Sequence, residues 1–186
     1  MVSVEDKQLF QWYAARTRHG QELHLRTKLS ELGFECFIPS KTIPAIRFGK
    51  RTMLEVPIIA NLIFIRATKT QALSIPNGFG LPIWYLVDRV TNSLLVIPDK
   101  QMEDFIRVYK EDPSSVVDTS ENLVIGGRVR VIKGNLSGIE GNLVSFSNKT
   151  YVVVALGGEY GTVSRPINAL MLAKVKIPKS SLVSID

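Results

Sequence analysis

Hydrophobic and polar positions change their period along the chain, and the changes mark its elements. Trp12-Tyr13-Ala14-Ala15-Arg16 reads as an opening strand, followed by the turn-prone pair His19-Gly20. Leu25, Leu29 and Leu32 then recur at i, i+4 and i+7, which predicts a helix, and Gly33 is placed to end it. Phe34 to Pro39 reads as a second strand. An excursion follows through Pro44 and the basic tip Arg47-Phe48-Gly49-Lys50-Arg51, and the chain returns along Met53 to Pro57 in the manner of a hairpin.

Leu62-Ile63-Phe64-Ile65 is a short apolar strand, and Ile83 to Val87 is expected to pair with Ser93 to Ile97 across Asp88 to Asn92. Pro98 suits the first turn of a helix in which Met102, Phe105, Ile106 and Tyr109 repeat at helical spacing, and this helix is expected to pack on the sheet. Periodicity then lapses at Glu111-Asp112-Pro113-Ser114-Ser115. Beyond it lie short β-branched segments at Arg128 to Lys133, Gly141 to Phe146, Tyr151 to Leu156, Gly161 to Ser164 and Ala169 to Val175, separated by Gly and Asn. The expected fold class is α+β. An N-terminal mixed or antiparallel sheet with flanking helices spans 1–112, a linker 113–124, a small SH3-like β-barrel 125–175 and a tail 176–186. So small a barrel needs closure to remove its strand edges.

Composition narrows the chemistry. The 186 residues are 45% hydrophobic and 22% charged, which suits globular domains. No run approaches the ~18 apolar residues of a membrane span, and the N-terminus does not read as a signal peptide. These readings give a cytoplasmic protein without a membrane partner. Cys36 is the single cysteine, so no internal disulfide forms. The net charge of +6 favours a polyanionic partner. Arg16, Arg18, His24, Arg26 and Lys28 surround the first helix, while Lys41, Arg47, Lys50 and Arg51 lie in a stretch without acids between Glu35 and Glu55. Such clusters either neutralise phosphates or merely solvate a surface.

No nucleophile with a base, perturbed carboxylate pair or metal-ligand spacing emerges, so no catalysis, metal or cofactor is expected. His19 and His24 stand five apart, a poor spacing for one helix face. Gly126 to Gly138 lacks the Gly-Lys-Ser/Thr ending of a phosphate loop.

Ile125-Gly126-Gly127-Arg128-Val129-Arg130-Val131-Ile132-Lys133-Gly134, continued by Asn135-Leu136-Ser137-Gly138-Ile139-Glu140-Gly141-Asn142-Leu143-Val144, resembles the KOW motif. Within it Gly127 belongs to the glycine framework, Val129 and Val131 alternate toward a core, and Gly134, Gly138 and Gly141 permit a tight turn between strands. KOW modules also occur in ribosomal proteins, which leaves an RNA-binding, ribosome-associated protein as the alternative.

Trp12-Tyr13, the basic helix, the Gly49-Lys50-Arg51-Thr52 tip and Asn61-Leu62-Ile63-Phe64-Ile65 resemble, in that order, the N-terminal domain of the NusG family of transcription elongation factors. The likeness covers roughly residues 10–175 and is nearest to specialised, RfaH-like paralogues that act as operon-specific antiterminators. Where the family commonly has an aromatic-Pro-Gly-Tyr segment, this chain has Ile59-Ala60-Asn61-Leu62.

The resemblance implies a groove for a coiled-coil tip of the largest RNA polymerase subunit, formed by Trp12, Tyr13, Ile59, Leu62 and Phe64. The same alternation also arises in an ordinary sheet core. It further implies non-template DNA as the ligand of Arg16, Arg18, His24, Arg26, Lys28, Lys50 and Arg51, and Rho or a ribosomal protein as the partner of the barrel.

Overall fold

The computed structural model describes residues 9–88, 91–117, 124–146, 149–158 and 169–185. Internal contacts divide the chain into two compact units, Met1–Pro98 and Asp99–Asp186.

The first unit opens with β1 (Gln11–Thr17) and α1 (Glu22–Glu31), which Gly33 ends in the left-handed conformation, φ +82°. β2 (Glu35–Phe37) and the hairpin strands β3 (Ser40–Arg47) and β4 (Lys50–Pro57) precede β5 (Leu62–Ala67). Next comes α2 (Lys69–Asn77), a helix that the periodicity does not reveal. Its start is set by a capping box in which Thr68 accepts from the Gln71 amide and Gln71 accepts from the Thr68 amide. Four short strands complete the unit: β6 (Ile83–Tyr85), β7 (Val87–Asp88), β8 (Ser93–Leu94) and β9 (Val96–Ile97). The main sheet runs β2-β5-β1-β6, with β9 also on β1, and its pairings are antiparallel. The expected pairing of 83–87 with 93–97 is met by β7 and β8 and by the bond from the Leu95 amide to the Leu86 carbonyl, while β6 and β9 turn to β1 instead.

One face of this sheet carries the core. Tyr13, Ala15, Ile63 and Ile65 pack there with Leu25 and Leu29 of α1 and Ala72 and Ile75 of α2. Each helix thus buries one stripe against the sheet. Leu32, third in the predicted stripe, lies just past the helix end and is exposed.

The second unit begins with α3 (Asp99–Glu111) and a 3-10 turn at Pro113–Ser115. β10 (Val116–Val117), β11 (Val124–Val131), β12 (Glu140–Phe146), β13 (Lys149–Leu156), β14 (Met171–Val175) and β15 (Leu182–Ser184) form one antiparallel sheet in the order β10-β14-β13-β12-β11-β15. No pairing joins β10 to β15 among the described residues, so the closure expected of a barrel is not found among them. The predicted strand Gly161 to Ser164 lies outside the described residues.

Three further differences from the sequence reading concern α3 and its flanks. The helix packs on β13 and β14 of its own unit, whereas the reading placed it on the first sheet. Within the expected linker, Val116–Val117 pairs with β14, and within the expected tail, Leu182–Ser184 pairs with β11. No described helix is long and apolar enough to cross a membrane.

Candidate nucleic-acid and protein interface

Strand alternation sorts the five expected groove residues. Ala14 stands opposite Phe64 and Arg16 opposite Leu62, so Trp12, Ala14, Leu62 and Phe64 share the face away from the α1 and α2 core. All four are buried. Tyr13 points to the other face, where its ring meets that of Tyr85 edge-on at 6.0 Å. Two residues that the sequence reading did not single out join the Trp12 face. Phe37, opposite Phe64, brings its ring to 6.5 Å from that residue, and Ile97 stands opposite Trp12. Trp84, opposite Arg16, is exposed at the sheet edge.

Ile59 is half-buried in the turn entering β5, and that turn is held by a buried carboxylate. Asn61 adopts φ +63°, a left-handed value that asparagine tolerates better than most side chains. Its amide donates to Oε1 of Glu22 at 2.8 Å, and its carbonyl accepts from the Thr17 amide at 3.2 Å. Glu22 lies in the first turn of α1, where the helix dipole favours a negative charge. The turn, the helix start and the end of β1 are thereby joined.

The basic residues separate into free and committed groups. Arg16, Arg18, His24 and Lys28 are exposed, with Arg16 on the Trp12 face of the sheet. Arg26 instead reaches β4, donating from Nη1 and Nη2 to the two carboxylate oxygens of Glu55 at 2.7 and 2.8 Å. Its hydrogen bonds, then that of the Ser40 hydroxyl, hold the Glu55 carboxyl down to about 2. Beside them Cys36 is half-buried, its thiol pushed up to about 11 by that burial, and donates to the Arg26 carbonyl at 3.7 Å. Arg26 therefore fastens α1 to the hairpin.

The hairpin itself pairs in register from Ser40 opposite Pro57 to Arg47 opposite Lys50. Its two-residue turn has φ +50° at Phe48 and +74° at Gly49, as a primed hairpin turn requires. Lys50 and Arg51 are exposed beside it.

In the second unit Val129 and Val131 are buried as the alternation predicts. Pairing between β11 and β12 shifts register between Ile125 and Arg128, around Gly127. Gly134 and Gly138 have φ of +82° and +87°, and a Cβ on Gly141 would collide with the Val153 carbonyl oxygen. The loop between these strands is tied to α3 by residues the motif does not contain. Asp104, buried, accepts from the Glu140 amide at 3.1 Å and pairs with Lys100 at 2.6 Å. Lys100 donates to the Gly138 carbonyl, and Arg107 to the carbonyls of Asn135 and Ser137. Two adjacent acids, Glu103 and Asp104, separate Met102 from Phe105 in the sequence, and only Asp104 is buried. Glu140 also receives Arg128 and Arg130; the hydrogen bond from Arg130, then the charges of Arg130, Arg128 and Lys100, hold its carboxyl below the usual range.

Residues 10–111 match the family model described as Transcription termination factor nusG. The match takes in the first unit from Phe10 onward and all of α3, more than half of the chain. No curated protein matches the chain.

Proposed function

Because the chain belongs to the NusG family of transcription factors, we propose that it binds RNA polymerase during elongation and suppresses pausing or termination on a restricted set of operons, as RfaH-like paralogues do. The observation that carries this reading is the shared face of Trp12, Ala14, Leu62 and Phe64, on the opposite side of the sheet from the two helices. Trp12, Leu62 and Phe64, themselves buried, form the floor beneath the contact with the largest polymerase subunit, and half-buried Ile59 supplies accessible apolar surface to it. Tyr13 supports it from the other side. Apolar burial drives such docking at roughly 25 cal/mol per Å².

The exposed Arg16, Arg18, His24 and Lys28 face the non-template strand, and the two arginines and the lysine neutralise its phosphates. The functional division remains a polymerase-binding region over 1–112 and a KOW module over 125–175. The module offers its β surface to Rho or a ribosomal protein, and the turns at Gly134 and Gly138 support its assignment. No bond chemistry is needed. A factor that binds the elongating polymerase more tightly than the paused one shifts the population by that difference in affinity. The protein acts with the polymerase in the cytoplasm.

Genome-wide crosslinking of this protein alongside polymerase tests the reading. Occupancy confined to a few long operons is the expected result. Occupancy following polymerase over most genes would make it a general factor, and absence from transcribed DNA would overturn the proposal in favour of a ribosome-associated role.

A further inference from the structure

The tip of the β3–β4 hairpin is poorly built as a piece of structure. Two-residue turns with both φ values positive favour Asn-Gly or Asp-Gly, yet the first position here is Phe48, at φ +50°. A bulky side chain is a rare occupant of that region. Burial does not compensate for it, because the ring is fully exposed. The pair closing the turn, Arg47 opposite Lys50, sets two like charges side by side across the strands, an arrangement that destabilises a hairpin. From Lys41 to Leu54 there is no acid, and no ion pair holds Lys41, Arg47, Lys50 or Arg51 among the described residues. An exposed ring on a two-residue tip, ringed by cations that repel each other, is unfavourable alone and complementary to one class of ligand. Unpaired bases offer a π-face to an aromatic side chain, and the adjoining phosphates neutralise the cations.

We propose that the hairpin is a nucleic-acid wedge. Phe48 stacks on an exposed base at a junction between duplex and single strands, while Arg47, Lys50 and Arg51 hold the phosphates on either side. The assignment deepens the nucleic-acid part of the function proposed above and rests on that part alone, since it needs no polymerase. It goes further by naming junctions, over continuous duplex, as the preferred form of DNA.

The test uses the full chain and two fluorescently labelled DNAs of equal length, a fully paired duplex and a fork with unpaired arms. Phe48→Asn removes the ring and installs the preferred Asn-Gly turn, so loss of folding cannot account for its effect, and circular dichroism verifies this. The unaltered protein is expected to bind the fork about tenfold more tightly than the duplex. Phe48→Asn should abolish that preference and Phe48→Trp should keep it. Lys50→Glu with Arg51→Glu should weaken binding to both DNAs and flatten its salt dependence.

A fork preference that survives Phe48→Asn, or no preference in the unaltered protein, overturns the wedge. So does a Phe48→Asn defect seen only in capture of DNA-free polymerase, which would make the tip a protein contact. Capture of polymerase by the unaltered chain is measured separately. A chain that captures polymerase without fork preference loses the wedge alone, and one with fork preference but no capture loses the polymerase reading alone.

Discussion

Arg26 and Glu55 are joined by two parallel hydrogen bonds of 2.7 and 2.8 Å, so a cation expected to meet phosphate is committed to a carboxylate on the neighbouring hairpin. The bidentate geometry suits a guanidinium and could not be reproduced by lysine.

That pairing sets a pH dependence. The Glu55 carboxyl is lowered from 4.5 to about 2 in the folded chain, chiefly by Arg26. Its contribution is therefore fully present above pH ~4.5 and is lost as the pH falls toward ~2. Both side chains are about one-third exposed, so water screens the pair and its worth is about 1 kcal/mol, less than the shift alone would give. Glu55→Gln should lower stability in urea at pH 7 by about that amount, and the difference from the unaltered protein should shrink as the pH falls from 5 to 3. A constant difference would remove the ion pair as its source.

Committed and free cations should differ in DNA binding. Glutamate at Arg16, Arg18 and Lys28 is expected to weaken binding to bubble DNA and reduce the slope of log affinity against log salt, by about one for each phosphate no longer neutralised. Arg26→Gln should lower stability and leave the slope unchanged. Titration of each variant at several salt concentrations decides the matter, and an unchanged slope in the triple variant would take those residues out of the site.

Two glycines of the KOW-like segment should fail for different reasons. Gly141→Ala drives a methyl group into the Val153 carbonyl oxygen and is expected to destabilise by about 3 kcal/mol. Gly134→Ala meets open space and suffers only from φ +82°, about 1 kcal/mol. Urea midpoints should fall in that order.

Asp104→Ala leaves the Glu140 amide and the Lys100 ammonium without this acceptor and should destabilise by about 2 kcal/mol. Asp104→Asn keeps an acceptor for the amide and should recover more than half of the loss in the same urea titration. Equal losses for both variants would mean that charge, and not the hydrogen bond to Glu140, is what matters.

Ile59→Glu places a charge in a half-buried residue of the turn that enters β5, where the proposed polymerase contact has its margin. It should reduce capture of polymerase at least tenfold while far-ultraviolet circular dichroism stays unchanged. Undiminished capture would move the proposed contact away from this margin.

Elements with strong local signals were legible in the sequence. The strand at Trp12 to Arg16, the hairpin around Gly49 and the glycine framework from Gly134 to Gly141 carry local instructions, because strand propensity, turn dihedrals and close backbone approach are set by the residues themselves. α2 was harder to read because Pro76 interrupts it and only Ala72 and Ile75 are buried, so its start rests on the capping box and not on a stripe. The basic character of α1 was equally plain, but not that Arg26 would turn away from solvent to Glu55.

The sequence by itself determined the α+β class, the family and the residue types available for binding. Only the tertiary structure decided that Tyr13 stands apart from Trp12, Leu62 and Phe64, that α3 closes on the second unit, and that Glu22 anchors the turn at Asn61. These outcomes depend on which partners meet across long separations, 39 residues for Glu22 and Asn61 and 36 for Asp104 and Glu140. A buried carboxylate is positioned by the distant amide it satisfies, and no local pattern reveals that partner.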